Sequence, residues 1–322
     1  MSDLELYKKK IFPMLAVIGR KTDLKLKNFI YEPKLDGTRC ILYKSNNNIR
    51  MLNRRGNWFQ HRFPEIVEEA KKLFGDVILD GEVIVLDKNG LPNFSLLQSR
   101  DQTENAFKIK LLSTRWPATL YVFDILAHDN NNLTKQKLID RKHVLEKVIP
   151  DNLIHIRKVF YLEGQGLRLW RDVKKFNMEG VMAKDRNSIY LVGIRSRHWL
   201  KIKNIKVADC IICGYTVGIR SPFASLVLGQ YYRGKLLHVG QVGTGFDSKQ
   251  VEELGKALKK IKTSHPPFSE VPKLTKEVIW VRPKYVAEVQ FLNYTNRLHL
   301  RAPSFKRLRF DKPIKACIIE KL

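Results

Sequence analysis

The stretch Glu32-Pro33-Lys34-Leu35-Asp36-Gly37-Thr38-Arg39 lies between two strand-like runs of the sequence. Pro33 and Gly37 are typical turn residues, so the segment is predicted to turn tightly from one strand into the next. A lysine amine forms covalent intermediates once it has lost its proton, and Lys34 is flanked here by carboxylates and an arginine. The pattern K-x-D-G-x-R is expected by chance in fewer than about 1% of chains of this length. We therefore predict a site built around Lys34, against the ordinary alternative of a turn with a solvated lysine.

The 322-residue chain is strongly basic, with 59 Lys and Arg against 32 Asp and Glu and a formal net charge of +27. Hydrophobic residues make up 44% of it, which is typical of globular proteins and excludes intrinsic disorder. Because the basic residues are spread along the whole chain, they favour a polyanionic partner, with nucleic acid first and an anionic membrane surface second. A basic protein without such a partner is the ordinary alternative.

Four cysteines in a chain of this length do not indicate a disulfide framework. Cys210 and Cys213 form one CxxC, but no second pair follows at zinc-binding spacing, so both are predicted to be core residues of a strand. No stretch approaches the roughly 20 apolar residues of a membrane span, and the N-terminus does not resemble a signal peptide. We expect a cytoplasmic protein that does not contact membranes.

The hydrophobic pattern predicts an α+β chain of short strands and a few helices. Helices are predicted over 64–73, 135–149 with Thr134 as the N-cap, 166–176, and 249–261 with Asp247 or Ser248 as the cap. Strands are predicted over 38–43, 77–86, 120–125, 180–184 and 199–203. From about residue 206 onward, five strand-like runs and one helix favour a small Greek-key barrel of the OB type. We place the first domain at 1–205 and the second at 206–322.

Two further segments carry carboxylates that could hold a hard metal ion through oxygen, namely 79–83 with Glu82 and 179–184 with Glu179. Taken singly, each has an ordinary explanation. Asp80-Gly81 is a common hairpin turn, and Glu179 is a solvated acid at a strand end.

Two basic segments complete the pattern. Strand alternation in 199–203 puts Lys201 and Lys203 on one face, where two ammonium groups repel each other unless they meet an anion such as phosphate. The run 301–313 is densely basic, and Asp311 among its basic neighbours argues against an ordinary basic tail.

In this order and spacing the segments resemble the motifs of the covalent nucleotidyltransferase superfamily, and specifically those of ATP-dependent DNA ligases. Asn53 departs from the serine that is usual in motif Ia. The likeness extends from about Pro13 to Pro313. The matching segments are Lys34–Arg39 (motif I), Asn53–Gly56 (Ia), Leu79–Glu82 (III), Tyr121–Asp124 (IIIa), Glu179–Lys184 (IV), Trp199–Lys203 (V) and Arg301–Lys312 (VI).

Segments 94–100, 190–199, 242–247 and 280–283 are similar to the ligase domain of multifunctional bacterial end-joining ligases and their stand-alone archaeal relatives. This resemblance implies a nucleotidyltransferase (adenylation) domain with antiparallel sheets and flanking helices, followed by a C-terminal OB-fold β-barrel. We expect the minimal two-domain core, without polymerase, phosphoesterase or large N-terminal DNA-binding domains.

The resemblance also implies a mechanism. Lys34 attacks the α-phosphate of ATP to give lysyl-AMP, AMP passes to a 5′-phosphate at a nick, and the 3′-hydroxyl then displaces AMP. A divalent cation, Mg²⁺ or Mn²⁺, assists. Phe123 has an ordinary alternative as a core aromatic. By this resemblance, Lys201 and Lys203 bind the α-phosphate, and Glu82 and Glu179 bind a metal ion or the ribose. Glu32 accepts a hydrogen bond from the adenine amine, Phe123 stacks on adenine, and Arg39 contacts the ribose. Arg54 contacts a 5′-phosphate, and Arg309, Asp311 and Lys312 orient the pyrophosphate.

Three other functions are weighed against this one. Glu32 and the end-joining segments favour ATP over the GTP of mRNA capping enzymes, and the second domain with its motif VI disfavours an RNA ligase. A non-catalytic nucleic-acid-binding protein is disfavoured because every expected catalytic position is filled. We expect a monomer acting on nicked duplex DNA. A Ku-like end-binding partner, 3′-ribonucleotide ends and the choice between end joining, repair and replication are left open.

Overall fold

The computed structural model describes residues 3–88, 90–218, 221–295 and 297–319. The chain folds as two compact units, Met1–Asn204 (unit 1) and Ile205–Leu322 (unit 2). Among the described residues, none of the helices has the length and apolar character needed to span a bilayer.

Unit 1 mixes helices and strands along its whole length. Its helices are α1 Asp3–Lys8, α2 Pro64–Ala70, α3 Phe94–Asp101, α4 Ala106–Arg115, α5 Leu138–Val148 and α6 Gly166–Lys175. Its strands are β1 Leu15–Ile18, β2 Phe29–Pro33, β3 Thr38–Ser45, β4 Asn48–Asn53, β5 Val77–Val85, β6 Ala118–His128, β7 Asn131–Asn132, β8 Ile156–Lys158, β9 Leu162–Glu163, β10 Gly180–Asp185 and β11 Arg195–Lys203.

These strands form two sheets. Sheet A has the order β1-β11-β10-β2-β9, and sheet B has the order β4-β3-β5-β6-β7 with β8 added beside β6. Most neighbours are antiparallel, and the parallel pairs are β1 with β11 and β6 with β8. The predicted α+β class, with antiparallel sheets and flanking helices, is confirmed for this unit.

Sheet B is buried on both faces. Leu42 of β3 packs in a cluster with residues of α2, α3 and α5, whereas its neighbours Ile41 and Tyr43 pack on the opposite face with Trp199 of β11. Fully burying such a side chain contributes roughly 1.5–3 kcal/mol, so this alternation holds β3 firmly in register. Arg39 has the same parity as Ile41 and Tyr43 and begins the face that carries Trp199.

Sheet A has one apolar face and one polar face. Tyr31, Val181 and Ile202 come from three adjacent strands and pack against Leu169 and Val173 of α6. Side chains alternate between faces along a strand, so the residues next to these three lie on the face away from α6. That face is where charged side chains are concentrated.

A buried ion pair fixes α5 against sheet B. Arg141 of α5 donates to both carboxylate oxygens of Asp124 in β6, at 2.7 and 2.8 Å, and neither side chain is exposed to solvent. A buried charge without its partner is strongly destabilising, so this pair, together with the apolar packing of Leu145 and Val148, holds α5 in place. It thereby places the next residue on α5, Lys142, in the interior of unit 1.

The predicted helices were confirmed in position but not at every end. The helix predicted from residue 135 begins at Leu138, and Thr134 is not its N-cap. The backbone N–H and hydroxyl of Thr134 instead donate to the side-chain oxygen of Asn132, at 3.0 and 2.7 Å. Helices α3 and α4 were not predicted, although Asn93 and Asn105 cap them by accepting backbone N–H bonds at 3.1 and 3.0 Å.

Unit 2 is built on one sheet. Its elements are β12 Lys206–Thr216, β13 Ser225–Tyr232, β14 Lys235–Val242, α7 Ser248–Lys259, β15 Val278–Trp280, β16 Val286–Phe291 and β17 Ser304–Leu308. The strand order is β14-β13-β12-β16-β17, with β15 also paired to β12. The five predicted strands and the helix are present, and β17 is an additional strand within the run that was predicted only as basic.

Local sequence signals explain two features of unit 2. The side chain of Asp247 accepts a hydrogen bond from the Gln250 backbone N–H at 2.7 Å, which confirms it as the cap of α7. Cys210 and Cys213 are buried in β12 as free thiols and pack in its two apolar clusters, as predicted.

Candidate active site

Unit 1 contains a cavity of about 250 Å³ that is lined by residues of both of its sheets. Side chains expected from sequence to act together do meet here, although they are scattered over some 170 positions of the chain. The predicted residues that line it are Glu32, Lys34, Arg39, Arg54, Glu82, Phe123, Glu179, Lys201 and Lys203.

Sheet A supplies one row of these side chains. Glu32 of β2 lies opposite Met182 of β10, and Met182 lies opposite Lys201 of β11. Residues in register point to the same face of a sheet, so all three face the cavity. Leu200 and Ile202 pack on the apolar side with α6, as strand alternation predicts.

The next row places the lysine of the first motif. The backbone N–H of Lys34 donates to the Gly180 carbonyl at 2.9 Å, and Gly180 lies opposite Lys203. Lys34 and Lys203 therefore flank the same strand end. Strand pairing, rather than sequence proximity, brings the two amines to one cavity.

Two glycines allow the backbone to approach closely at this end of the cavity. A Cβ atom on Gly37 would lie 2.2 Å from the carbonyl oxygen of Val83, and one on Gly180 would lie 2.2 Å from that of Ile202. No other residue fits either position unless the backbone moves. These contacts explain why glycine is needed inside both the first and the fourth motif.

Lys34 is paired with a carboxylate. Its ammonium nitrogen lies 2.6 Å from Oε2 of Glu179, and both side chains remain partly exposed to the cavity. Desolvation of the half-buried Glu82 nearby raises its pKa to about 7, while Arg39 and Lys34 oppose the shift. Glu82 is therefore only partly ionised near neutral pH, and a further cation beside it would favour the carboxylate.

The part of the cavity around Lys201 and Lys203 carries an excess of positive charge. In the part of the chain that the structure describes, Arg54, Arg195, Lys201 and Lys203 form no ion pair with a carboxylate. The pKa of Lys201 is lowered by burial and then by Arg195, Lys203, Lys34 and Arg54. Such a group of repelling cations is stabilised by a bound anion.

The other end of the cavity holds a buried charge triad. Both oxygens of Glu32 are engaged, one by Lys142 of α5 at 2.5 Å and the other by Lys184 of β10 at 2.6 Å. Each of the three side chains is at most 2% exposed. Burial lowers the pKa of Lys184 to about 8, although Glu32 opposes the shift.

Phe123 belongs both to the core and to the cavity wall. Its ring packs in an apolar cluster and meets Trp199 edge to face, with 6.1 Å between ring centroids. Two cations also approach it, since the Lys184 nitrogen lies 4.0 Å and the Arg39 guanidinium carbon 4.6 Å from the ring centroid. The two explanations given for Phe123 from sequence are therefore compatible.

Arg39 is oriented by a residue that the sequence did not single out for this role. Asp80, which is fully buried, accepts from two guanidinium nitrogens of Arg39 at 2.5 and 2.6 Å and from the Tyr190 hydroxyl at 2.6 Å. Asp80 and Gly81 lie within β5 and do not form a hairpin turn. This inner carboxylate orients Arg39, while Glu82 on the same strand faces the cavity.

The predicted motif VI residues lie in unit 2, just after β17. Arg309 forms an ion pair with Asp311 at 2.7 Å, and the Lys312 nitrogen lies 3.6 Å from Asp209. They form a cluster of their own on the unit 2 sheet.

A divalent cation fits the cavity only together with an anionic ligand. The described residues contain no group of three His, Cys, Asp or Glu side chains suited to hold a metal. Glu82 and Glu179 line the same cavity, and the raised pKa of Glu82 is partly due to Glu179. Mg²⁺ is commonly held by one or two carboxylates plus substrate phosphates, which these two residues can provide for.

Several cavity residues were missed. Strand alternation puts Lys184 on the same face as Met182, so both could have been assigned to the cavity from the sequence. Arg195 and Trp199 stood in segments already noted for their resemblance. Nothing local marks Lys142, because its role depends on where α5 packs.

Comparison with known families matches both units. A family model described as "ATP dependent DNA ligase domain" matches residues 13–203. A second, described as "ATP dependent DNA ligase C terminal region", matches residues 220–312.

Individual proteins are similar over most of this chain. The multifunctional non-homologous end joining protein LigD of Mycolicibacterium smegmatis is 34% identical over 93% of this chain and 38% of its own length. A probable DNA ligase of Dictyoglomus turgidum is 30% identical over 80% of this chain and 47% of its own length. The chain thus spans less than half the length of these relatives. A solved structure of mycobacterial DNA ligase D complexed with ATP and MES is 29% identical, covers 96% of this chain and 98% of that one, and has a TM-score of 0.55.

Proposed function

We propose, since the chain belongs to the ATP-dependent DNA ligase family, that it joins a 5′-phosphate to a 3′-hydroxyl at nicks in duplex DNA through an AMP intermediate on Lys34. One observation carries this proposal. The Lys34 amine lies in a cavity with a carboxylate within hydrogen-bond distance and with several uncompensated cations around it. That arrangement suits a nucleophilic amine attacking a phosphate.

In the first step, the Lys34 nitrogen forms a bond to the α-phosphorus of ATP, and the bond from that phosphorus to the leaving pyrophosphate oxygen breaks. Lys34 must lose a proton before it attacks, and Glu179 at 2.6 Å is placed to accept it. Lys201 and Lys203 stabilise the negative charge that develops on the α-phosphate oxygens. The product is AMP joined to Lys34 by a phosphorus–nitrogen bond.

In the second step, an oxygen of the DNA 5′-phosphate attacks the AMP phosphorus, and the bond to Lys34 breaks. In the third, the 3′-hydroxyl attacks the activated 5′-phosphate, and AMP leaves. Lys201 acts throughout, because its target phosphate is present in every step. Arg54 lines the same cavity and supplies a cation for a 5′-phosphate.

Glu82 and Glu179 would hold a Mg²⁺ or Mn²⁺ ion beside the bound phosphates. When bound, the ion neutralises phosphate charge and favours the ionised form of Glu82, whose pKa is otherwise about 7.

The triad end of the cavity would select adenine. The Glu32 carboxylate, held by two lysines, can accept a hydrogen bond from an exocyclic amine, which adenine offers at the position where guanine has a carbonyl. Phe123 and Met182 line the cavity nearby and can pack against a purine ring. ATP is therefore the proposed nucleotide, in preference to GTP, and Arg39 is the proposed ribose contact.

Unit 2 would be an OB-fold barrel that serves the first step and DNA binding. Strand β12 supports this, because its first half pairs with β16 and its second half pairs with β13 and β15. One long strand shared in this way is what closing a five-stranded Greek-key barrel requires. The motif VI residues Arg309, Asp311 and Lys312 would orient the departing pyrophosphate.

The expected test result is that α-labelled ATP gives a covalent protein adduct that survives denaturation by detergent and is cleaved by acid, as a phosphorus–nitrogen bond is, and that α-labelled GTP labels poorly. Adding nicked duplex DNA should then release AMP and give a sealed strand. Nicks made with RNA strands serve as the comparison for substrate class. Labelling by GTP at the level of ATP, or an adduct that no nick consumes, would contradict the proposal.

Substitutions in motif VI and at Lys201 should affect adduct formation and nick sealing differently. A nick that already carries 5′-AMP has no pyrophosphate to expel, so Asp311→Ala should lose adduct formation by on the order of 10-fold or more and still seal that nick at about the wild-type rate. Lys201→Ala should lose on the order of 10²–10³-fold in both reactions. Single-turnover assays of the two reactions decide the matter. Equal losses in both for Asp311→Ala would mean that Asp311 only supports the fold.

We propose end joining or another form of DNA break repair as the setting, because LigD relatives carry that role in their names. A Ku-like end-binding protein would be the partner to test in that setting. Nicks with 3′-ribonucleotide ends are a further substrate to compare in that setting.

A further inference from the structure

Two acidic residues lie directly opposite each other in the unit 2 sheet. Asp209 of β12 is the register partner of Glu288 of β16. Like charges facing each other across an antiparallel pair are destabilising. Glu288 is also only 7% exposed, so water screens it little. The repulsion between the two carboxylates must therefore be offset by a neighbouring cation.

Arg309 provides that compensation. Its Nη1 atom lies 3.1 Å from Asp209 and 3.2 Å from Glu288, so one nitrogen bridges the two carboxylates. Its Nε and Nη2 atoms donate to the two oxygens of Asp311 at 2.8 and 2.7 Å. The guanidinium therefore joins three acids, one from each of two strands and one from its own loop.

These contacts use nearly all the hydrogen-bonding capacity of Arg309. A guanidinium has five N–H donors. Two on Nη1 face Asp209 and Glu288, and one each on Nε and Nη2 face Asp311. At most one N–H is left for a phosphate, so the direction of Arg309 is set by the acids around it.

Glu288 is the centre of a wider network. Its other neighbours are Lys306 at 3.2 Å and Arg307 at 2.9 Å, and Arg307 is its register partner on β17. Hydrogen bonds from Arg307 and Lys306 hold the pKa of Glu288 below its usual range. Glu288 is therefore a carboxylate at neutral pH, and it links β16 to the basic segment that follows.

We propose that Asp209 and Glu288 are positioning residues for the first step, which hold Arg309, and through it Asp311, in the geometry that pyrophosphate departure requires. This inference rests on the proposed function, in which motif VI acts only when a triphosphate is present. In this proposal Asp209 and Glu288 act through Arg309 and not by a contact of their own with substrate. They fix the orientation of the Arg309 guanidinium. Its neighbours Asp311 and Lys312 lie on the exposed edge of the cluster.

Arg309 could bind the phosphates by itself, or it could act in an orientation that its acidic partners set. Replacing Arg309 itself would lower the rate of adduct formation in both cases. If Arg309 bound the phosphates by itself, replacing its acidic partners by neutral isosteres would free its N–H groups and keep or raise the rate of adduct formation. If the acids position it, the same replacements lower that rate. The two cases therefore predict opposite signs.

The experiment compares Glu288→Gln, Asp209→Asn and the double variant with the wild-type protein. We expect the double variant to form lysyl-AMP on the order of 10–100-fold more slowly at saturating ATP, as for other partners that orient an active group. Sealing of a pre-adenylated nick should stay within about twofold, and each single variant should lie between. Glu253→Gln on α7, whose carboxylate makes only an exposed contact to Lys249 at 3.9 Å, is the matched control and should behave as wild type.

Three outcomes would overturn the inference, namely an unchanged rate of adduct formation, a raised rate, or equal losses in adduct formation and in sealing. The last would show that the acid pair only stabilises unit 2, which thermal unfolding of the same variants would confirm. The proposed function fails separately, if wild-type protein forms no adduct with ATP or if no nick consumes that adduct.

Discussion

Replacing Lys34 by alanine is expected to abolish the ATP-dependent adduct, with a loss on the order of 10⁴-fold or more, as found when a covalent nucleophile is removed. No other described lysine amine occupies its place beside Glu179 at 2.6 Å. ATP-dependent sealing of a nick should be lost to the same extent. Covalent labelling by α-labelled ATP on a denaturing gel, followed by peptide mapping of the wild-type adduct, measures this.

Lys34→Arg is the matched control, because it keeps a positive charge beside Glu179 but cannot be deprotonated to act as a nucleophile. Both variants should lose the adduct and both should still seal a pre-adenylated nick, since the Lys34 amine has no part in the last step. An adduct of wild-type intensity in either variant would place the nucleophile elsewhere. Failure of both variants to seal a pre-adenylated nick would indicate a damaged cavity rather than a missing nucleophile.

The parts of the fold and of the site that were predictable are those whose signal is local. Lys201 and Lys203 were placed on one face by strand alternation, and the structure puts both in the cavity. Asp247 or Ser248 was predicted to cap α7 because capping residues precede the helix in sequence, and Asp247 is the cap. In each case the residues that decide the geometry lie within a few positions of one another.

Parts decided by distant contacts were not predictable in this way. Lys142 reaches Glu32 because α5 is held against β6, both by the buried Arg141–Asp124 pair and by its apolar side chains. The partners in the Lys142–Glu32 pair are 110 positions apart in sequence. Neither periodicity nor capping carries information over that distance.

The same reason explains the two features of unit 2 that sequence analysis missed. Strand β17 lies within a basic run whose charges mask its alternation, and pairing with β16 makes it a strand. Asp209 and Glu288 look like ordinary acids of two separate strands. Their significance depends on register, which puts them opposite each other and under Arg309.

Binding to a nicked duplex is expected to weaken about 10³–10⁵-fold between roughly 50 and 200 mM salt, if about six to ten phosphates are contacted. The basis is the net charge of +27, which is spread over both units. Cations that neutralise DNA phosphates release condensed counterions, so added salt opposes binding. Fluorescence titrations at a series of salt concentrations give the slope of log affinity against log salt.

Adduct formation with ATP in the absence of DNA provides the control for that experiment. The cations that face ATP lie in a cavity formed by few residues, where screening by salt is weaker than at an exposed surface. We therefore expect adduct formation to change far less than nick binding over the same salt range. If both fall in parallel, salt acts on the cavity or on the fold, and the excess charge cannot be assigned to DNA. If nick binding is nearly independent of salt, the phosphate contacts are few, and the charge of this chain serves another purpose.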